Sequence, residues 1–195
     1  MNGKLMPWEA YPEIWKTESA FMSWIRGGIR GGLWNKHPVK LEFIKKNRIQ
    51  IPNPNPKGKK PTVWGAKCAL TGEIVPINQV QVDHKIGGHS LRSMDDLQSF
   101  IEAIVLVTDE DLQLVSKDAH KVKTHSELKG ITFEEALIEK KVIEFGKLST
   151  IKQKIILTDM YGSDRITFLD SLTNAKKRKD AYRDLLLKEE VNESV

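Results

Sequence analysis

The chain has 195 residues, with 31 basic against 26 acidic side chains, a formal charge of +5 and 39% apolar residues. That suits one globular body or a small catalytic unit with helical flanks, and the positive surplus favours a polyanionic partner. A single cysteine, Cys68, excludes an intramolecular disulfide, and no apolar run approaches the roughly 18 residues that suggest a membrane span.

The start, Met-Asn-Gly-Lys-Leu-Met-Pro-Trp, carries no apolar signal core, so a soluble, cytoplasmic protein without membrane contact is expected. Residues 11 to about 49 read as helical, because Trp15, Phe21, Met22, Trp24 and Ile25 recur at helix-like intervals. Gly27-Gly28-Ile29-Arg30-Gly31-Gly32 interrupts them; no Gly-Lys-Ser/Thr follows, so a bend or a close helix crossing is expected rather than a phosphate loop. The segment 51–61, rich in proline and lysine, is expected to be an extended linker closing a helical region over 1–50.

Thr62 to Ile86 reads as two strands joined at Leu70-Thr71-Gly72-Glu73, the second running up to Asp83-His84. Ser93 and Asp96 form a helix-start pattern for a helix reaching about Val107. Leu112 to Val115 is a short strand and Lys117 to about Leu128 a helix, the whole of 62–130 forming a core. The remainder, 131–195, is expected to be helical: one stretch from Thr132 to about Leu157, a break at Tyr161-Gly162, and a helix from about Ile166 to Glu189 carrying Lys176-Lys177-Arg178-Lys179 and Arg183. The fold class is α+β.

The chemistry concentrates at Val82-Asp83-His84 and at His120, 36 residues after His84. Phosphodiester hydrolysis needs an activated water, a cation on the phosphate oxygens and help for the leaving group. A neutral imidazole can take a proton from water near pH 7. A carboxylate with an imidazole can hold a divalent ion and leave positions open for water and phosphate. Neighbours in a strand point to opposite faces, so Asp83 and His84 are expected to share a site only where the strand gives way to a loop, which Gly87-Gly88 would allow.

Asp83-His84, then Asp111-Leu112, then His120 nine residues on, then Lys123-Thr124 and Glu127, resemble the HNH, or ββα-metal, endonucleases over roughly residues 64 to 128. The resemblance implies a small ββα-metal core flanked by helices. It implies His84 as general base and Asp83 and His120 as ligands of a divalent ion, magnesium or else manganese. Asp111 would stand for the Asn that steadies the loop and orients His84. Relatives with two Cys-x-x-Cys pairs bind a structural zinc; here those positions read Cys68, Thr71, Ser116 and Ala119, so no structural zinc is expected, and packing by Trp64, Leu70, Val115 and Leu128 should replace it.

The implied activity is metal-dependent cleavage of double-stranded DNA, as in free-standing bacteriophage HNH enzymes, some of them homing endonucleases. A double-strand break would take a homodimer or two successive events. Lys176, Lys177, Arg178, Lys179 and Arg183 form one expected DNA-contact patch; Arg26, Arg30, Lys45 and Lys46, with Arg48, form a second. His89, in the Gly-rich loop, could touch phosphate, while His125 lies on another helix face than His120. The other reading is a non-catalytic DNA-binding protein on a degenerate core of this kind.

Overall fold

The computed structural model describes residues 5–55, 57–87, 89–162 and 171–193, with no account of side chains beyond Lys188. The chain divides into two compact units, residues 1–120 and 121–195. The α+β class holds: helices accompany two small antiparallel sheets.

The first unit begins with α1 (Pro7–Ala10), α2 (Glu18–Gly28) and α3 (Pro38–Asn47). Thr17 caps α2 by accepting the Ala20 N–H. The glycine-rich stretch after α2 is neither a bend nor a close crossing. It continues helically as a widened π turn over Ile29–Leu33 and a 3-10 turn over Trp34–Lys36. A Cβ at Gly27, Gly28, Gly31 or Gly32 would meet no atom within 4 Å.

Strand β1 (Ile49–Pro52) has no counterpart in the sequence reading, which placed helix up to residue 49. It pairs antiparallel with β2 (Thr62–Lys67), with Ile49 opposite Gly65 and Pro52 opposite Thr62. The Pro/Lys segment therefore connects two strands of one hairpin and does not link separate bodies. Asn53 closes it: its backbone N–H donates to Pro61 O and its side-chain amide to Lys60 O. Strand β3 (Ile74–Pro76) adds to the other edge of β2. Gly65 is required there, because a Cβ would stand 2.6 Å from Ile51 Cδ1 and 2.8 Å from the Val75 carbonyl oxygen.

The expected second strand is two. After Pro76 the chain makes a 3-10 turn over Ile77–Gln79 and leaves the first sheet. Strand β4 (Val80–His84) pairs instead with β5 (Leu112–Ser116), from Val80 opposite Ser116 to His84 opposite Leu112. Between them lie a 3-10 turn (Met94–Asp96) and α4 (Leu97–Val105). Ser93 and Asp96 make the expected capping box at the head of that turn. Helix α5 (Lys117–Lys129) follows β5 directly and carries the chain out of the first unit.

A hydrophobic core joins the elements of this unit. Met22, Trp34 and Phe43 from the N-terminal helices pack with Val82, Leu112 and Leu114 from β4 and β5 and with Phe100 and Ile104 from α4. A boundary near residue 50 is thus replaced by one near 120, because the N-terminal helices bury their apolar faces on the β4–β5 layer.

In the second unit the expected single stretch is two helices, α6 (Phe133–Lys147) and α7 (Thr150–Tyr161). Leu148 is extended, and Ser149 restarts the helix by accepting the Lys152 N–H. Gly162, at φ +80°, ends α7. Helix α8 spans Ala175–Glu193; its expected start near Ile166 lies outside the described residues. Phe145, Leu157, Leu172 and Ala181 form the centre of this unit, with Tyr182 stacked on Phe145 at 4.3 Å between ring centroids. Among the described residues, no helix is long and apolar enough to cross a membrane.

Candidate metal and hydrolytic site

Strands β4 and β5 and the start of α5 bring the predicted ligands together. Asp83 and His120 meet, with Asp83 Oδ1 3.3 Å from His120 Nε2. Asp83 is opposite Gln113 on β5, and Gln113 donates its side-chain amide to Asp83 Oδ2 at 3.0 Å. That bond fixes the carboxylate with one oxygen toward the histidine. Gln113 was not singled out from the sequence; its position two residues after Asp111, opposite the acid once the strands are paired, is the signal that would find it.

The pair fits a small divalent ion. Two donors about 2.1 Å from one ion and at right angles stand roughly 3.0 Å apart, close to the observed 3.3 Å. Among the described residues, no group of three or more His, Cys, Asp or Glu is placed to hold a metal. Two protein ligands would leave the remaining positions of such an ion to water and phosphate oxygens.

His84 has different neighbours. The strand does not give way before it: β4 includes His84, and the Lys85 N–H donates to the Asp111 carbonyl, extending the ladder. The His84 ring lies 4.5 Å from the Trp34 ring, with 31° between planes, and 6.2 Å from His89. It lines a cavity of about 320 Å³ with Lys85, His89, Glu110 and Asp111 at its polar positions. Trp34 and Glu110 were not anticipated, since 50 residues of sequence separate the tryptophan from the histidine it stacks on. His89, anticipated as a loop residue near phosphate, is at this cavity and bonded to the Ile86 carbonyl through Nε2.

Asp111 is a fastener. Its carboxylate accepts the Thr108 backbone N–H at 2.7 Å and the Thr108 hydroxyl at 2.9 Å. The bond from the Thr108 N–H, then that from its hydroxyl, hold the carboxyl below its ordinary range, with the charges of His84 and Lys85 adding to the effect. The side chain thereby closes the turn before β5, and its carbonyl holds Lys85 beside His84.

Cys68, Ser116 and Ala119 also come together. The Ser116 N–H donates to Cys68 Sγ at 3.3 Å, and the Ala119 N–H to Ser116 Oγ at 3.1 Å. Cys68 and Val115 are core residues, but Trp64 and Leu128 are exposed and pack no metal-free knuckle.

The basic candidates scatter. Lys176, Lys177 and Arg183 are exposed on α8 and Lys179 is half-buried. Arg178 is a correction: it is 5% exposed, with Nε on Gln153 Oε1 at 2.7 Å and its terminal nitrogens on the Leu172 and Thr173 carbonyls and the Thr150 hydroxyl. It belongs to the interior of the second unit and is closed to DNA. Lys46 is paired with Asp109 at 2.7 Å, which raises its pKa, and Lys45 stands 3.6 Å from Glu42. Arg26 donates to Ser23, and Arg30 lies over the Phe100 ring. His125 bonds Glu139 at 2.7 Å, turned to α6. His37 bonds the Val105 carbonyl through Nε2 at 2.9 Å.

Comparison with protein-family models, with curated proteins and with solved structures returned no match to this chain.

Proposed function

We propose that the protein is a metal-dependent DNA endonuclease of the HNH type. The observation that carries this reading is the Asp83–His120 pair at the junction of β4, β5 and α5, with His84 next to it on a separate, cavity-facing side. Asp83 and His120 would hold the divalent ion, magnesium or manganese, which when bound would supply Lewis-acid stabilisation of charge on the phosphate. His84, the last residue of β4, would take a proton from a water that attacks phosphorus in line from the cavity side, across the phosphate from the Asp83–His120 pair. The bond to the 3′ oxygen breaks, leaving a 5′-phosphate and a 3′-hydroxyl that gains its proton from solvent. Stacking on Trp34 limits rotation of the His84 ring, which keeps it aimed.

Double-stranded DNA is the substrate this chemistry and the net charge of +5 favour, with Lys176, Lys177 and Arg183 among the phosphate contacts. A phage homing role and a homodimer that cuts both strands extend the same reading. Conversion of supercoiled plasmid tests it, with magnesium, with manganese and with chelator. Cleavage is expected only with metal, and His84→Ala should abolish it while plasmid binding persists. Binding without cleavage under either metal would leave the alternative, a DNA-binding protein on a core that no longer cuts.

A further inference from the structure

A second concave site lies away from the metal pair. It is a cleft of about 570 Å³ between the β1–β2 hairpin and the turn leading into β4. Gln50 and Trp64 are directly opposite each other on β1 and β2, so they share one face of the sheet. Asn78 and Gln79 enter from the turn, and Lys60 from the hairpin loop. The indole of Trp64 is 39% exposed, and the Arg48 guanidinium lies 4.0 Å from its ring centroid. Gln50, Asn78 and Gln79 are exposed, and no hydrogen bond to another described residue occupies their amides.

An exposed large aromatic is costly to keep in water, and here it is surrounded by what a nucleotide needs. The aromatic face stacks any base. Carboxamides each offer a donor and an acceptor, which match base edges. Lys60 brings a cation for the phosphate, while Arg48 lies over the Trp64 ring. The volume falls within the roughly 300–1,000 Å³ of sites that enclose a small organic group. The shape decides the class. Base pairs in a duplex are read by convex elements that enter a groove. A concave cleft with an aromatic wall suits a base already out of its stack.

We infer that this cleft binds one unpaired nucleotide of the nucleic-acid substrate, with its base on Trp64 and its edge read by Gln50, Asn78 and Gln79. The inference rests on the nucleic-acid reading above and narrows it: the substrate carries a single-stranded, bulged or otherwise unstacked base. Gln79 precedes His84 by five residues, which at strand spacing is roughly 16 Å, so the cleft is separate from the hydrolytic site.

The test is fluorescence anisotropy of full-length protein with labelled oligonucleotides of about 12 nucleotides, long enough for one binding module. Three forms are compared, with chelator present so that nothing is cut: a single strand, the matching blunt duplex, and that duplex with a bulge. The protein should favour the single strand and the bulge over the duplex. Trp64→Ala should weaken those two by roughly 5- to 100-fold and leave the duplex little changed, while Trp64→Phe retains most of the binding. Gln50→Ala with Asn78→Ala, both surface changes that spare the fold, should flatten the preference among the four homopolymers.

A wild-type preference for the duplex, or an equal effect of Trp64→Ala on all three forms, would overturn the proposal. So would full affinity in Trp64→Ala. The plasmid assay separates the two ideas. Metal-dependent cutting with single-strand binding indifferent to Trp64 sinks the cleft and keeps the nuclease. Trp64-dependent binding without cutting under any metal does the reverse.

Discussion

Asp111 illustrates how one carboxylate can fasten a turn. A carboxylate there cannot donate as an amide would, yet it accepts from both donors of Thr108 and closes the turn that starts β5. Its pKa is depressed, so it favours the folded state above the ordinary carboxylate range of about 4 and loses that contribution as pH falls through its lower folded value. Asp111→Asn keeps one acceptor and removes the titration. Thermal midpoints at about pH 3 and pH 6, on either side of that range, should show a smaller acid loss in the variant than in the wild type. Asp96, whose pKa is lowered chiefly by the Arg92 and Ser93 backbone N–H groups, supplies part of the remaining acid sensitivity. As candidates, Asp83, His84, Asp111 and His120 were legible in the sequence, from residue type and a spacing that resembles a known motif. Gln113 and Trp34 were not, because strand register and packing across 50 residues bring them in.

At the scale of elements, α8 shows why a charge run misleads. Lys176-Lys177-Arg178-Lys179 reads as a uniform basic face, but a helix turns about 100° per residue, and Arg178 is the position that points inward. Its guanidinium satisfies the carbonyls of Leu172 and Thr173, which precede the helix, and ties them to Gln153 on α7. Arg178→Ala should therefore cost the second unit about 2–4 kcal/mol, measured by urea denaturation. Lys176→Ala with Lys177→Ala should leave stability within about 0.5 kcal/mol and reduce the salt dependence of DNA binding. Strand β1 escaped notice for a related reason. Ile49 to Pro52 is short and follows a helix without a break signal, and only pairing with β2 makes it a strand. Helix starts were the most readable features, since Ser93 and Thr132 carry their caps in the sequence.

For the whole molecule, the first unit is held by apolar packing, and its buried Cys68 accepts the Ser116 N–H. Zinc-fastened cores lose their fold to chelators. This one should keep its melting temperature unchanged in EDTA, while the plasmid activity disappears; differential scanning calorimetry with and without chelator checks the first half. The N-terminal helices could not be assigned to this core from sequence, because periodicity shows which face is apolar but not what covers it.

The separation of Asp83 and His120 along the chain has a consequence for the protein during its synthesis. Asp83 leaves the ribosome 37 residues ahead of His120, and β4 has no partner strand until Leu112–Ser116 emerges. At ordinary rates of elongation the interval is about 2–7 s. Throughout it β4 is an unpaired strand, so the second sheet and the Asp83–His120 contact can form only once the chain has been made as far as the first turn of α5.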